Sequence, residues 1–178
     1  MTVKELSEIS GLSVAARQLV RDDSIPSTYL DSLEKQELYE DAVRFQAYKM
    51  PVHPGIQWAS NCIDELRDPA LKSEKDAPFE SAGQWLKAPG DPTRYAARDA
   101  ADKPDATGPS RLLALAVFFS GGSVASPESP TAEPPPYSAQ QLIAGAVTIA
   151  VVGHEAQHAV DRYKKALAIG KMLDVPGN

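Results

Sequence analysis

Apolar positions recur every three or four residues along most of the chain, and no stretch of useful length alternates apolar and polar. That spacing predicts helices nearly throughout. Residues 14–20 read as a short amphipathic helix. Pro26-Ser27 opens the next, with Ser27 as N-cap ahead of Tyr29, Leu30 and Leu33. Residues 37–50 carry Leu38, Ala42, Phe45 and Tyr48 at helical spacing. Pro51 and Pro54 then interrupt the chain, and a helix starts at Ile56 and runs to about Arg67. Asp76-Ala77-Pro78 and Asp91-Pro92 each place a proline just inside a helix start. Pro109-Ser110 begins an apolar helix that Gly121-Gly122 ends.

Residues 123–137 break the pattern. They hold five of the fifteen prolines, including Pro134-Pro135-Pro136. Proline fixes φ and lacks the N–H, so this segment is expected to be neither helix nor central strand, but extended with some polyproline II character. Ser138 is then the cap of a helix apolar on nearly all sides, which belongs at the centre of the fold. The last helix sets Tyr163, Ala166, Leu167, Gly170 and Leu173 on one face. The expectation is a single all-α domain over residues 1–178, of about eight short helices, arranged as an irregular bundle or solenoid-like.

Composition narrows the classes. A net charge of −6, with no clustering of Lys and Arg, argues against a nucleic-acid partner. Cys62 is the only cysteine, which excludes an intrachain disulfide and a Cys-type zinc site. The longest apolar run, residues 142–152, would span roughly 16 Å as a helix, about half a bilayer core, so no membrane insertion is expected. No signal peptide is evident at the N-terminus, and the expected location is cytoplasmic.

One short motif carries explicit chemistry. His154-Glu155-Ala156-Gln157-His158 spells H-E-x-x-H. On one α-helix His154 and His158 would share a face and bind one Zn²⁺, with Glu155 as the base that activates water. A third ligand is hard to find. The twenty residues after His158 contain no Glu, and Asp161 lies about 10 Å along a helix axis from His154. His53 is far upstream. The expectation is therefore no metal and no cofactor, with a zinc-dependent metallopeptidase as the alternative. Other chemistry is thinner still. Trp58 and Trp85 read as core, and Cys62 as a buried apolar group. Gly121-Gly122 follows no strand, and Ser120 lacks a nucleophile-elbow frame.

A resemblance spans almost the whole chain. Ala15-Ala16-Arg17, Pro26, Tyr29-Leu30 and Leu33 lead into Tyr39-Glu40-Asp41-Ala42-Val43-Arg44-Phe45, Met50-Pro51 and Trp58-Ala59. Phe118-Phe119-Ser120-Gly121-Gly122-Ser123, the proline-rich stretch, Arg162-Tyr163 and Ile169-Gly170 follow. This pattern resembles an uncharacterised bacterial all-helical family, a domain of unknown function encoded near type VI secretion genes. The resemblance implies a helical accessory protein with no assigned activity. It also places residues 154–158 in a variable junction, which makes the zinc spelling incidental. The expected function is thus a non-enzymatic adaptor that binds another protein, a secretion-system component or effector. The candidate surface is Phe119, Gly121 and Gly122 with Pro134, Pro135, Pro136 and Tyr137. A long loop in a compact domain tends to serve function or to be disordered, and prolines reduce the entropy lost on docking. An immunity protein, blocking a basic toxin with an acidic face, is a further alternative.

Overall fold

The computed structural model describes residues 1–69, 75–125, 129–153 and 156–173. Ten α-helices follow in order: α1 Val3–Ile9, α2 Val14–Gln18, α3 Pro26–Lys35, α4 Tyr39–Lys49, α5 Val52–Leu66, α6 Ala77–Lys87, α7 Asp91–Ala101, α8 Gly108–Phe118, α9 Ser138–Val152 and α10 Ala159–Leu173. A 3-10 turn, Ala156–His158, precedes α10. No strand occurs among the described residues.

The prolines start helices more often than they stop them. Pro26, Pro78, Pro92 and Pro109 sit in the first two positions of α3, α6, α7 and α8, where the missing N–H costs no intrahelical bond. The break expected at Pro51 and Pro54 is correspondingly short. Pro51 is the N-cap of α5 and Pro54 lies in its first turn, so the helix begins at Val52. Two expected caps are displaced by one or two residues. Ile25, not Ser27, precedes α3, and Tyr137, not Ser138, precedes α9. The Ser138 hydroxyl is instead buried with no partner.

The centre of the fold is α9. It packs against α4, α5, α8 and α10, so these helices share one core. Ile143, Val147 and Val151 are fully buried, each worth roughly 1.5–3 kcal/mol relative to exposure. The α5–α9 approach is close. A Cβ on Gly55 would lie 3.0 Å from Ile143 Cδ1. Trp58, fully buried on α5, donates its indole N–H to the Ala166 carbonyl at 2.8 Å and ties α5 to α10. Cys62 is buried one turn further on, and burial pushes its thiol up to about 12.

The first two helices join the same core. Val3, Leu6, Leu12 and Ala16 are buried in it. Asp41 accepts from the Ser13 N–H at 2.8 Å and the Ser13 hydroxyl at 2.7 Å. Arg44 donates to the Gly11 carbonyl at 2.9 Å, and the Tyr29 hydroxyl donates to the Ala16 carbonyl at 2.8 Å.

From α4 to α10 the connections alternate between two ends. The α4–α5, α6–α7 and α8–α9 connections lie at one, the loop end. The α5–α6, α7–α8 and α9–α10 connections lie at the other. Arg162 closes that second end. Its Nε donates to the Val151 carbonyl at 2.7 Å, and its Nη2 to the Ala150 and Leu66 carbonyls at 2.7 and 2.8 Å. One guanidinium thereby satisfies the last carbonyls of both α5 and α9.

Candidate functional site

At the loop end the chain leaves α8 through Phe119, its half-buried C-cap, packed edge-on against Phe118 with centroids 5.1 Å apart. Gly121 and Gly122 follow. Gly122 has φ of 66°, and a Cβ there would lie 3.0 Å from Arg94 Nη2. Both facts favour glycine at this position.

Arg94, on the first turn of α7, is 3% exposed. Its Nε and Nη2 meet Asp91 Oδ1 at 3.1 and 3.0 Å, Nη1 donates to the Phe118 carbonyl at 2.9 Å, and Nη2 donates to the Ser123 carbonyl at 2.8 Å. Its flat group lies over the rings of Tyr95 and Phe118, at 4.7 and 5.3 Å. The Tyr95 hydroxyl is shared between the carbonyls of Ser123 and Ala125, each at 3.1 Å. On the chain's other strand of approach, the Val124 N–H donates to the Ala132 carbonyl at 2.8 Å. The Ser123 hydroxyl accepts from the N–H groups of Ala125 and Ala132 at 3.2 Å. Residues 123–125 and Ala132 therefore form a hydrogen-bonded neck, fastened to α7 by one arginine and one tyrosine.

The described part of residues 123–137 has no helix or strand until α9, and residues 126–128 of that stretch lie outside the described residues. The proline run ends in a turn. The Ser138 N–H donates to the Pro135 carbonyl at 3.2 Å, and Tyr137 has φ 60° and ψ 10°. This is a type II turn with Pro136 at its second position and Tyr137 at its third, so the chain changes direction at Tyr137. Pro134 is half-buried, whereas Pro135, Pro136 and Tyr137 are exposed. The Tyr137 ring stacks on Tyr48, at the end of α4, with centroids 5.7 Å apart. Burial raises the Tyr48 hydroxyl pKa, an effect the Arg44 charge partly offsets. Nearby connections add His53 against Trp85, at 5.2 Å.

The structure thus brings Phe119, Gly121, Gly122, Pro134, Pro135, Pro136 and Tyr137 to one end of the bundle. The sequence reading missed Arg94, Tyr95 and Tyr48. A signal for Arg94 existed: it shares a helical face with Ala97 and Ala101, both fully buried, so a guanidinium was due to be inside.

The opposite end holds a cleft of about 720 Å³, with Leu66, Lys103, Thr107, Ile149, Gly153 and Arg162 in its lining. Ser110 also lines it, but its hydroxyl donates to Asp76 Oδ2 at 2.6 Å, and Asp76 also pairs with Arg67 and caps α6 through the Phe79 N–H at 3.1 Å. That network joins α5, α6 and α8, and Asp76 is held in it by Arg67 and by its capping bond.

His154 and Glu155 lie outside the described residues. His158 is exposed at the end of the 3-10 turn, and Asp161 is exposed on the first turn of α10. His158 thus ends the turn rather than starting the last helix, and the described part of the motif is not α-helical. His53 starts α5 at the loop end, about 20 Å along that helix from Leu66 at the cleft end. Among the described residues, no three His, Cys, Asp or Glu side chains gather in a way that could hold a metal ion. No described helix is long and apolar enough to cross a membrane.

Searches of curated proteins and of solved structures return no match for this chain. A family model does match, from Tyr29 within α3 to Leu173 at the end of α10, and by that match over residues 29–173 the chain belongs to the family of unknown function DUF6931.

Proposed function

We propose that this protein is a non-enzymatic helical adaptor that binds another protein through its loop end. The observation that carries this reading is the chemistry gathered there. Exposed Pro135, Pro136 and Tyr137 share this end with exposed His53 and half-buried Tyr48, on which Tyr137 stacks, while Trp85, Arg94 and Phe118 are buried beneath the surface as support. Tyrosine is enriched at protein interfaces because it combines a large contact area with a polar tip, and Tyr137 and Tyr48 are the accessible aromatic pair here. The neck at residues 123–125 adds preorganisation, which lowers the entropy lost on docking. The resemblance to proteins encoded near type VI secretion genes supplies the setting, so the partner we infer is a secretion-system component or effector.

The test compares pull-downs from native cells by quantitative mass spectrometry. Wild type is set against Tyr137→Ala combined with Tyr48→Ala, and against Lys103→Glu at the far end. The reading expects a protein captured by wild type and Lys103→Glu but lost by the double variant. Capture that survives the double variant and fails with Lys103→Glu would move the interface to the cleft.

A second reading has one observation in its favour. Gly153, which directly precedes the H-E-x-x-H spelling, and Arg162, which follows it, both line the 720 Å³ cleft. A zinc-dependent peptidase site would therefore have room for a substrate beside it. Metal content decides between the two readings.

A further inference from the structure

We propose that Arg94 is the positioning residue of the loop-end surface, holding the loop's neck in one conformation before any partner docks. The inference deepens the adaptor reading and rests on it for its biological sense, but its physical content is testable without a partner.

Three observations converge. First, Arg94 spends its donors on two elements at once: the end of α8, through the Phe118 carbonyl, and the neck, through the Ser123 carbonyl. A residue serving α7 and α8 alone would have no bond to Ser123. Second, the space next to the guanidinium is kept open by Gly122, whose positive φ and missing side chain let the chain turn directly over it. Third, Tyr95 repeats the contact independently, with its hydroxyl on Ser123 and Ala125. The neck's own bonds, Val124 to Ala132 and Ser123 to Ala125 and Ala132, join short stretches of chain that lie in no helix or strand among the described residues. Such a segment opens locally unless something outside it fixes its ends.

Arginine is the residue type this task needs. Its planar fork reaches two carbonyls and a carboxylate in fixed directions while its faces rest on Tyr95 and Phe118. A lysine ammonium is a single point charge and cannot reach all three oxygens.

The test is amide hydrogen exchange read by NMR on the whole chain, with Val124 as reporter of the neck and Leu167, in α10, as reporter of the core. In Arg94→Lys the Val124 amide is expected to exchange at least about tenfold faster, with Leu167 unchanged within about twofold. Tyr95→Phe removes one hydroxyl from a half-buried ring and should speed Val124 by about threefold without touching Leu167. An unchanged Val124 rate in both variants overturns the proposal. So does an equal acceleration of Val124 and Leu167 in both, which makes the pair general supports of the fold. If Val124 responds as expected but no protein is captured at this end, the latch stands and the adaptor reading falls.

Discussion

Replacing Arg162 by methionine should destabilise the protein by about 3 kcal/mol. The side chain is half-buried and donates to three carbonyls, those of Leu66, Ala150 and Val151, at 2.7–2.8 Å. Each charge-assisted bond contributes about 1.5–3 kcal/mol when fully desolvated. Three bonds from one group do not add in full, and water can reach part of this end, so we take about 2–3 kcal/mol for the set. The guanidinium also faces the negative ends of two helices, α5 and α9, worth about 0.3–1 kcal/mol more. Methionine keeps most of the packing volume, so the loss reports the polar group. For a chain of 178 residues, 3 kcal/mol lowers Tm by about 6–12 °C. Urea titration followed by tryptophan fluorescence is the assay, because Trp58 is fully buried and reports the core. The midpoint should fall with the slope unchanged. Arg162→Lys keeps the charge but reaches one carbonyl at a time, and should recover less than half of the loss. A methionine variant within 1 kcal/mol of wild type, or a lysine variant equal to it, would refute the reasoning.

Two further outcomes are expected. Cys62 has a folded-state pKa pushed up by burial from 9.0 to about 12, so the stability it contributes is intact below about pH 9 and is lost as pH rises towards 12. Cys62→Ala should therefore show a smaller fall in unfolding free energy between about pH 9 and pH 11, by on the order of 2 kcal/mol, and an equally steep fall in both proteins would contradict the buried thiol. Protein prepared without a polyhistidine tag should contain no stoichiometric zinc by elemental analysis, and His154→Ala with His158→Ala should melt as wild type does. One zinc per chain, lost in the double variant and accompanied by peptidase activity requiring Glu155, would establish the enzyme instead.

Much of the helical layout was legible in the chain because it rests on local signals. Asp76 and the N-terminal prolines mark starts by mechanisms that act within a few residues, and the all-apolar run in α9 marks the centre by burial alone. Where sequence reading failed, it failed on interactions that only the fold creates. Tyr137 caps α9 because the type II turn before it fixes the entry, which no propensity of Ser138 could reveal. The α1 helix is a different miss. Thr2 and Glu5 form a reciprocal capping box, with bonds of 3.2 and 2.7 Å, and that spacing was there to be read. At the loop end, the glycines and prolines announced themselves as turn residues. The groups that hold this end together, Arg94, Tyr95 and Tyr48, come from helices 24 to 89 positions away in sequence, and charge or aromaticity on a helix face does not name its partner.

The N-terminal clasp has a practical consequence for anyone handling this protein. Residues 29–173 suggest a natural fragment, yet Val3, Leu6, Leu12 and Ala16 are sealed into the same core, and Ser13 and Gly11 are stitched to Asp41 and Arg44. A version trimmed to the matched span would strip the cover from the α3–α4 face and leave the Tyr29 hydroxyl without its carbonyl. Such a fragment would carry a sticky apolar flank, and any binding it displayed would belong to the cut rather than to the molecule.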